Sequence, residues 1–114
     1  MRENSSSSAS FIRRWPVLAF VLLLVAVVGA SGCSKLRARD QLNKGVANFR
    51  DAHYDAAIEN FKQSKDLDPD LINSRIYLAT AYAAQYIPGA PSDENVRTGD
   101  QAVSNFHDVL THDA

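Results

Sequence analysis

Few side chains in this sequence could do chemistry. Cys33 is the one cysteine among 114 residues, and it stands in Ala30-Ser31-Gly32-Cys33, directly behind the apolar run 17–29. His107 and His112 are five residues apart, so on a helix they diverge, and no cysteine or carboxylate cluster completes a metal site around them. His53 falls in a turn between two helical patterns and reads as a polar turn residue. Asp66, Asp68 and Asp70 alternate near a helix boundary. A calcium loop would also need a glycine turn and a bidentate glutamate further on, and neither stands at the right spacing, so capping is the simpler account. No serine lies in a nucleophile-elbow context and no glycine-rich loop is placed to cradle a phosphate. These residues predict a protein that is not an enzyme, with no catalytic residue, metal or cofactor.

The surroundings of Cys33 point elsewhere. Arg13 and Arg14 precede the apolar run, small residues follow it, and the cysteine comes next. A charged segment, a short apolar segment and small residues in that order are the pattern of an exported chain. The small residues with Cys33 resemble the lipobox of bacterial lipoproteins, with Ala30 where leucine is preferred. The resemblance implies a lipoprotein signal peptide over 1–32, cleaved before Cys33, whose sulfur carries a diacylglyceryl group, with 33–37 as the lipidated cysteine and a short linker. Two other readings fit the same residues. One is an uncleaved anchor, although Trp15–Ala30 is shorter than the ~20 residues a spanning helix requires. The other is an ordinary secretory signal, which would export a lone free thiol into an oxidising compartment. Trp15-Pro16-Val17 fits a twin-arginine signal poorly. Each reading keeps the N-terminus in the cytoplasm, because the positive charges precede the apolar run. Everything beyond Cys33 then faces the periplasm or exterior of a bacterial envelope. Ser34, which is not the retention-favouring aspartate, leans toward the outer membrane in a Gram-negative host.

Removing residues 1–32 takes away Arg2, Arg13, Arg14 and Glu3 and changes the formal charge from −1 to −3. That mildly acidic balance carries no footprint for nucleic acid. The Ser-rich stretch 3–10 predicts no structure. The remaining residues suffice for one compact domain at most, near the size where a core is marginal.

Beyond Cys33 the apolar residues recur at helical spacing. Leu42, Val46 and Phe49 form one set. Tyr54, Ala57, Ile58 and Phe61 form the next, followed by Leu71, Arg75, Leu78 and Tyr82, and then by Val96, Val103, Phe106 and Leu110. The spacing predicts an all-α fold. Arg50-Asp51-Ala52-His53 is short enough to require an antiparallel hairpin. Asp68-Pro69 reads as an N-cap followed by proline in the first turn. Pro88 and Pro91 exclude a continuous helix over 87–91. Ser92 is placed to cap a last helix with Asp93 and Glu94 in its first turn.

Gly45, Tyr54, Ala57, Phe61 and Pro69 are separated by nine, three, four and eight residues. This spacing resembles the tetratricopeptide repeat, a helix–turn–helix unit of about 34 residues. The resemblance implies that Gly45 and Ala57 let two helices approach, that Tyr54 and Phe61 fill the space between them, and that Pro69 ends the unit, with Ser64 where alanine is usual. Leu78, Ala79 and Tyr82 match the start of a second repeat, and Ala102 and Phe106 match its second helix after an insertion near 86–97. The fold class implied is two tetratricopeptide-like hairpins over 38–114, a piece of an α-solenoid, similar to exported lipoproteins of this family in acidobacteria. Stacked repeats generally need about three units to be stable alone. The outer face around Phe106, Val109 and Leu110 is therefore expected to be uncovered. This implies a truncated sequence, a fragment, or a domain completed by a partner or by self-association through the last repeat.

In this family the first helix of each hairpin lines the concave groove, which here corresponds to Leu42, Val46, Phe49, Arg50, Asn73, Ile76, Thr80 and Ala83. Leu42 and Val46 stand where relatives that clamp a peptide carboxylate carry polar groups, so a carboxylate clamp is not expected. An apolar groove suits an amphipathic helix or an extended segment, while packing against a neighbouring repeat explains the same residues equally well. The expected function is a membrane-anchored protein-interaction scaffold outside the cytoplasm, bound to the membrane through the lipid on Cys33 and to a protein partner the sequence does not name. The alternatives are an accessory segment of a longer enzyme or transport protein, or a small self-associating structural lipoprotein.

Overall fold

The computed structural model describes the backbone of residues 3–113 and the side chains of residues 14–112. The chain forms four helices, α1 (Glu3–Arg50), α2 (Tyr54–Leu67), α3 (Ile72–Gln85) and α4 (Asp93–Asp113), with no strand among the described residues. It divides into two compact units, Met1–Cys33 and Ser34–Ala114, and the division falls within α1. One expectation is corrected here: the Ser-rich stretch is helical from Glu3. Residues 33–37 are helical as well. A helix already nucleated by its neighbours extends at small cost per residue, so both segments continue α1.

In the first unit, the side chains described from Trp15 to Val28 are exposed along the whole run. An 18-residue window there has a mean hydropathy of 2.5, long and apolar enough to cross a membrane by length and composition, a test that an N-terminal signal sequence also meets. Pro16 lies within the helix and removes one backbone hydrogen bond from its ladder.

In the second unit, residues 34–50 of α1 pack antiparallel against α2. Ser34 Oγ donates to the Leu67 carbonyl at 2.5 Å, and Ser64 Oγ donates to the Ala38 carbonyl at 2.7 Å. Asn60 bridges both chains of side chains, donating to Gln41 Oε1 at 2.9 Å and accepting from Asn48 Nδ2 at 2.8 Å. The two helices approach where Gly45 meets Phe61. A Cβ on Gly45 would lie 2.4 Å from Phe61 Cε1. Phe61 is fully buried, and on its other side its ring stacks on Tyr77 of α3, with centroids 5.4 Å apart. The core around it is Ala57, Ile58, Leu78 and Ala81, with Leu42, Val46, Phe49, Tyr77 and Tyr82 half-buried against it. Tyr54, expected inside the hairpin, is half-buried and meets Phe49 edge-on at 5.3 Å across the turn.

The turns follow from local backbone chemistry. At the end of α1 the His53 N–H bonds the Asn48 carbonyl at 2.9 Å and the Ala52 N–H bonds the Phe49 carbonyl at 3.1 Å. That pair of bonds is a Schellman ending, which places Ala52 in the left-handed region at φ 61°. The turn between α2 and α3 differs from expectation. Asp68 is the C-cap of α2, its N–H bonding the Ser64 carbonyl, and α3 starts at Ile72 behind Leu71. Pro69 is exposed in the turn and opens no helix. Asp68 accepts from the Asp70 N–H at 3.2 Å, so its carboxylate orders the turn and caps no helix start.

Two substitutions test this packing. Gly45→Ala gains up to ~1 kcal/mol of helix propensity but drives a methyl into a buried ring, so a net loss of about 1–3 kcal/mol is expected in chemical denaturation. Ala52→Gly relieves the left-handed alanine at a smaller entropic cost, so a gain of about 0.5–1 kcal/mol is expected and should raise the melting temperature.

Candidate interaction surface

The residues expected to line one groove do not share one environment. Leu42, Val46 and Phe49 are half-buried against the core. Arg50, Asn73 and Ile76 are exposed, and Thr80 is half-buried with its hydroxyl donating to the Ile76 carbonyl at 2.8 Å. Ala83 is exposed and belongs to a different depression, formed with α4.

That depression is the largely apolar cleft of the second unit, with a volume of about 460 Å³. Ala83 and Tyr86 form one wall, and Val96, Gly99, Val103 and Phe106 of α4 form the other. α3 and α4 can close on each other because Ala79 and Ala102 are small and buried at their contact. Gly99 lets the Tyr86 ring lie over α4, since a Cβ there would be 3.0 Å from two ring carbons. Val103 is 71% exposed and Leu110 70%. Phe106, which matches Phe61 in spacing and is expected on the uncovered outer face, is 41% exposed. The two rings differ in what covers them. Phe61 is covered by Tyr77 of the next helix, whereas no helix among the described residues follows α4 to cover Phe106.

The loop 86–92 holds the mouth of this cleft. It is irregular as both prolines require, but the insertion expected over 86–97 is a seven-residue loop followed directly by helix from Asp93. Ser92 caps that helix as expected, its Oγ accepting from the Asn95 N–H at 3.2 Å. Asn95 is the residue that sequence reasoning missed. Its side chain is buried, accepts from the Ile87 N–H at 2.8 Å, and donates to the carbonyls of Ile87 at 2.8 Å and Ala90 at 3.0 Å. The signal available was an asparagine three residues after a helix-capping serine and behind a loop with two prolines. Gly89 supplies the one left-handed glycine of the loop, at φ 83°.

Electrostatics ties three helices together below the cleft. Arg75, placed by its spacing on the apolar face of α3, is buried. Its guanidinium donates to the Pro69 carbonyl, at 3.2 Å from Nη2, and pairs with Asp108 of α4. Lys65 of α2 lies 3.5 Å from the same carboxylate. Burial pulls the Asp108 pKa upward, but the hydrogen bond and charge of Arg75, helped by Lys65, outweigh it and hold the carboxyl below its ordinary value. Lys62 is raised by the Tyr82 phenol beside it, against a smaller opposing effect of burial.

The remaining chemistry-bearing residues stay apart. Cys33 is an exposed free thiol, and His53, His107 and His112 are exposed. No group of three potential metal ligands is found among the described residues. No protein-family profile, curated protein or solved structure matches the chain.

Asn95→Ala removes three bonds from a buried side chain, and a loss of about 1–2 kcal/mol is expected, with faster amide exchange at Ile87 in the variant. Asp108 has a folded pKa below its unfolded value of ~3.9, so its contribution is present above that pH and is lost as pH falls through the folded value. The difference in denaturation midpoint between the parent and Asp108→Asn should be full at pH 6 and shrink progressively below about pH 4.

Proposed function

We propose that this chain is a lipid-anchored helical-repeat module that holds a protein partner on the extracytoplasmic side of a bacterial membrane. The supporting observation is the contrast between its two units. The first unit carries an exposed apolar run and ends at Cys33, and the second is a stack of short helices that leaves apolar side chains uncovered. In this reading Cys33 is acylated, residues 1–32 serve as the export signal, and α1 from Ser34 with α2, then α3 with α4, are two tetratricopeptide-like hairpins. The close approach at Gly45, the buried Ala57 and Phe61, and the buried Leu78, Ala79 and Ala102 are what such hairpins require. An exposed apolar cleft without a cluster of titratable groups suits recognition of a protein segment better than chemistry on a small molecule. Arg50, Asn73 and Ile76, expected in the groove, lie outside this cleft and are each exposed to meet a partner.

Metabolic labelling with a radioactive fatty acid tests the anchor. Label and membrane association are expected for the parent, and both should disappear in Cys33→Ser, which would accumulate unprocessed. Equal labelling of the two proteins would refute the reading. A photo-crosslinking residue at Ile76 should capture a protein in envelope fractions, and one at exposed Glu59 on α2 should not. Equal capture at both positions would remove the case for a specific binding face.

A further inference from the structure

The uncovered residues of α4 carry a pattern that the hairpin itself does not use. Val96, Gly99, Val103, Phe106 and Leu110 are separated by three, four, three and four residues. That is the seam of a two-stranded helical coil, in which each residue meets a neighbouring helix every 3.5 residues. In α4 the seam lies beside the contact with α3. Its valines and leucine are largely exposed, and the apolar cleft runs along it.

We infer that the occupant of this face is α4 of a second copy of the chain, packed antiparallel about a two-fold axis at Val103. The pattern is self-complementary in this orientation. With Val103 facing the other copy's Val103, Val96 meets the other copy's Leu110, and the other copy's Phe106 lies against the Tyr86 ring that covers Gly99. A parallel pairing would instead set Phe106 against Phe106 and bring together the Tyr86 rings that cover Gly99, crowding both levels.

Charge supports the same orientation. Asp100 and His107 are the exposed residues that immediately follow the seam positions Gly99 and Phe106, on one edge of the stripe. In an antiparallel pair these edges face each other, which brings Asp100 opposite the other copy's His107 twice across the axis. The acidic group then accepts from an imidazole N–H, and no like charges meet. Val96, Val103, Phe106, Leu110 and Tyr86 are each between 41% and 71% exposed, so the whole stripe is open for burial against a second copy. A homodimeric contact is isologous by necessity, so one stripe supplies both halves.

The test uses the full chain in detergent. Its mass by sedimentation should be that of a dimer, and Val103→Asp should make it monomeric with its helicity unchanged. In a Cys33→Ser background, Val103→Cys should form a covalent dimer under mild copper-catalysed oxidation, whereas Ser104→Cys, on the exposed side, should not. Mixing Val96→Cys with Leu110→Cys proteins should give mixed disulfides well above the self-linked product of either. Asp100→Lys should weaken dimerisation about tenfold by removing two flanking pairs, and Asp100→Lys with His107→Glu should restore it. A monomeric parent overturns the inference. So does a dimer that survives Val103→Asp, which would be held elsewhere, or preferential self-linking of Val96→Cys, which would mean a parallel pair. None of these outcomes depends on acylation of Cys33, so the anchor proposal stands or falls separately.

Discussion

The second unit depends on the place where Phe61 is held. On one side its ring touches the bare backbone of Gly45, on the other it stacks on Tyr77, and it has no solvent-accessible surface. One side chain therefore contacts three consecutive helical segments, and the spacing between them is set by its thickness. A residue with a Cβ at position 45 would separate α1 from α2. It would also shift Phe61 against Tyr77, so the disturbance would pass into the contact between α2 and α3. Close-packed interiors transmit displacement in this way because they contain few voids to absorb it.

Polar bonds fix the order and register of the same stack. Ser64 Oγ has one hydrogen, which goes to the Ala38 carbonyl, so the 2.6 Å contact with Ser74 is one in which Ser74 donates and Ser64 accepts. Three helical segments are joined through one buried hydroxyl that an alanine could not replace. Arg75 continues the series by linking the turn at Pro69 to Asp108 on α4. Among the described residues every buried side-chain nitrogen or oxygen has a partner. A satisfied polar network of this kind penalises other registers, since sliding one helix past another would leave buried groups unpaired.

These two layers explain what could be read in advance. Helical periodicity is a property of side-chain volume along the chain, so the four helical segments, the turn at Arg50–His53 and the cap at Ser92 were legible. The close approach at Gly45 was implied by the repeat resemblance, and the missing Cβ of glycine is what permits it. The polar layer was not. Arg75 falls on an apolar spacing, and nothing local shows that its charge is met by Asp108 thirty-three residues later. Asn95 looks like any first-turn residue of a helix until the loop is seen to fold back onto it. Asp68-Pro69 misled for a related reason, since the same pair serves a helix start or a helix end. The choice was made by the backbone bond from Asp68 to Ser64. The uncovered cleft was legible as a face, through Phe106 and Leu110, but not in its depth, because Tyr86 and Gly99 meet only in three dimensions.

The contrast between Phe61 and Phe106 carries the argument furthest. Both lie on helices that pack against a preceding partner. They differ in what comes next: Phe61 meets Tyr77, and Phe106 meets solvent over two-fifths of its surface. A helix stack grows by covering the apolar face of its last member, so the physics that buries Phe61 acts with equal strength on Phe106. Arg75 and Asp108 hold α4 in its orientation, and Asn95 fixes the loop that leads into it. The bonds that give the second hairpin its definite geometry are also what keep its apolar stripe pointing outward. In this fold the exposed cleft is a consequence of internal order, and a partner that covers it would meet a surface already shaped to receive it.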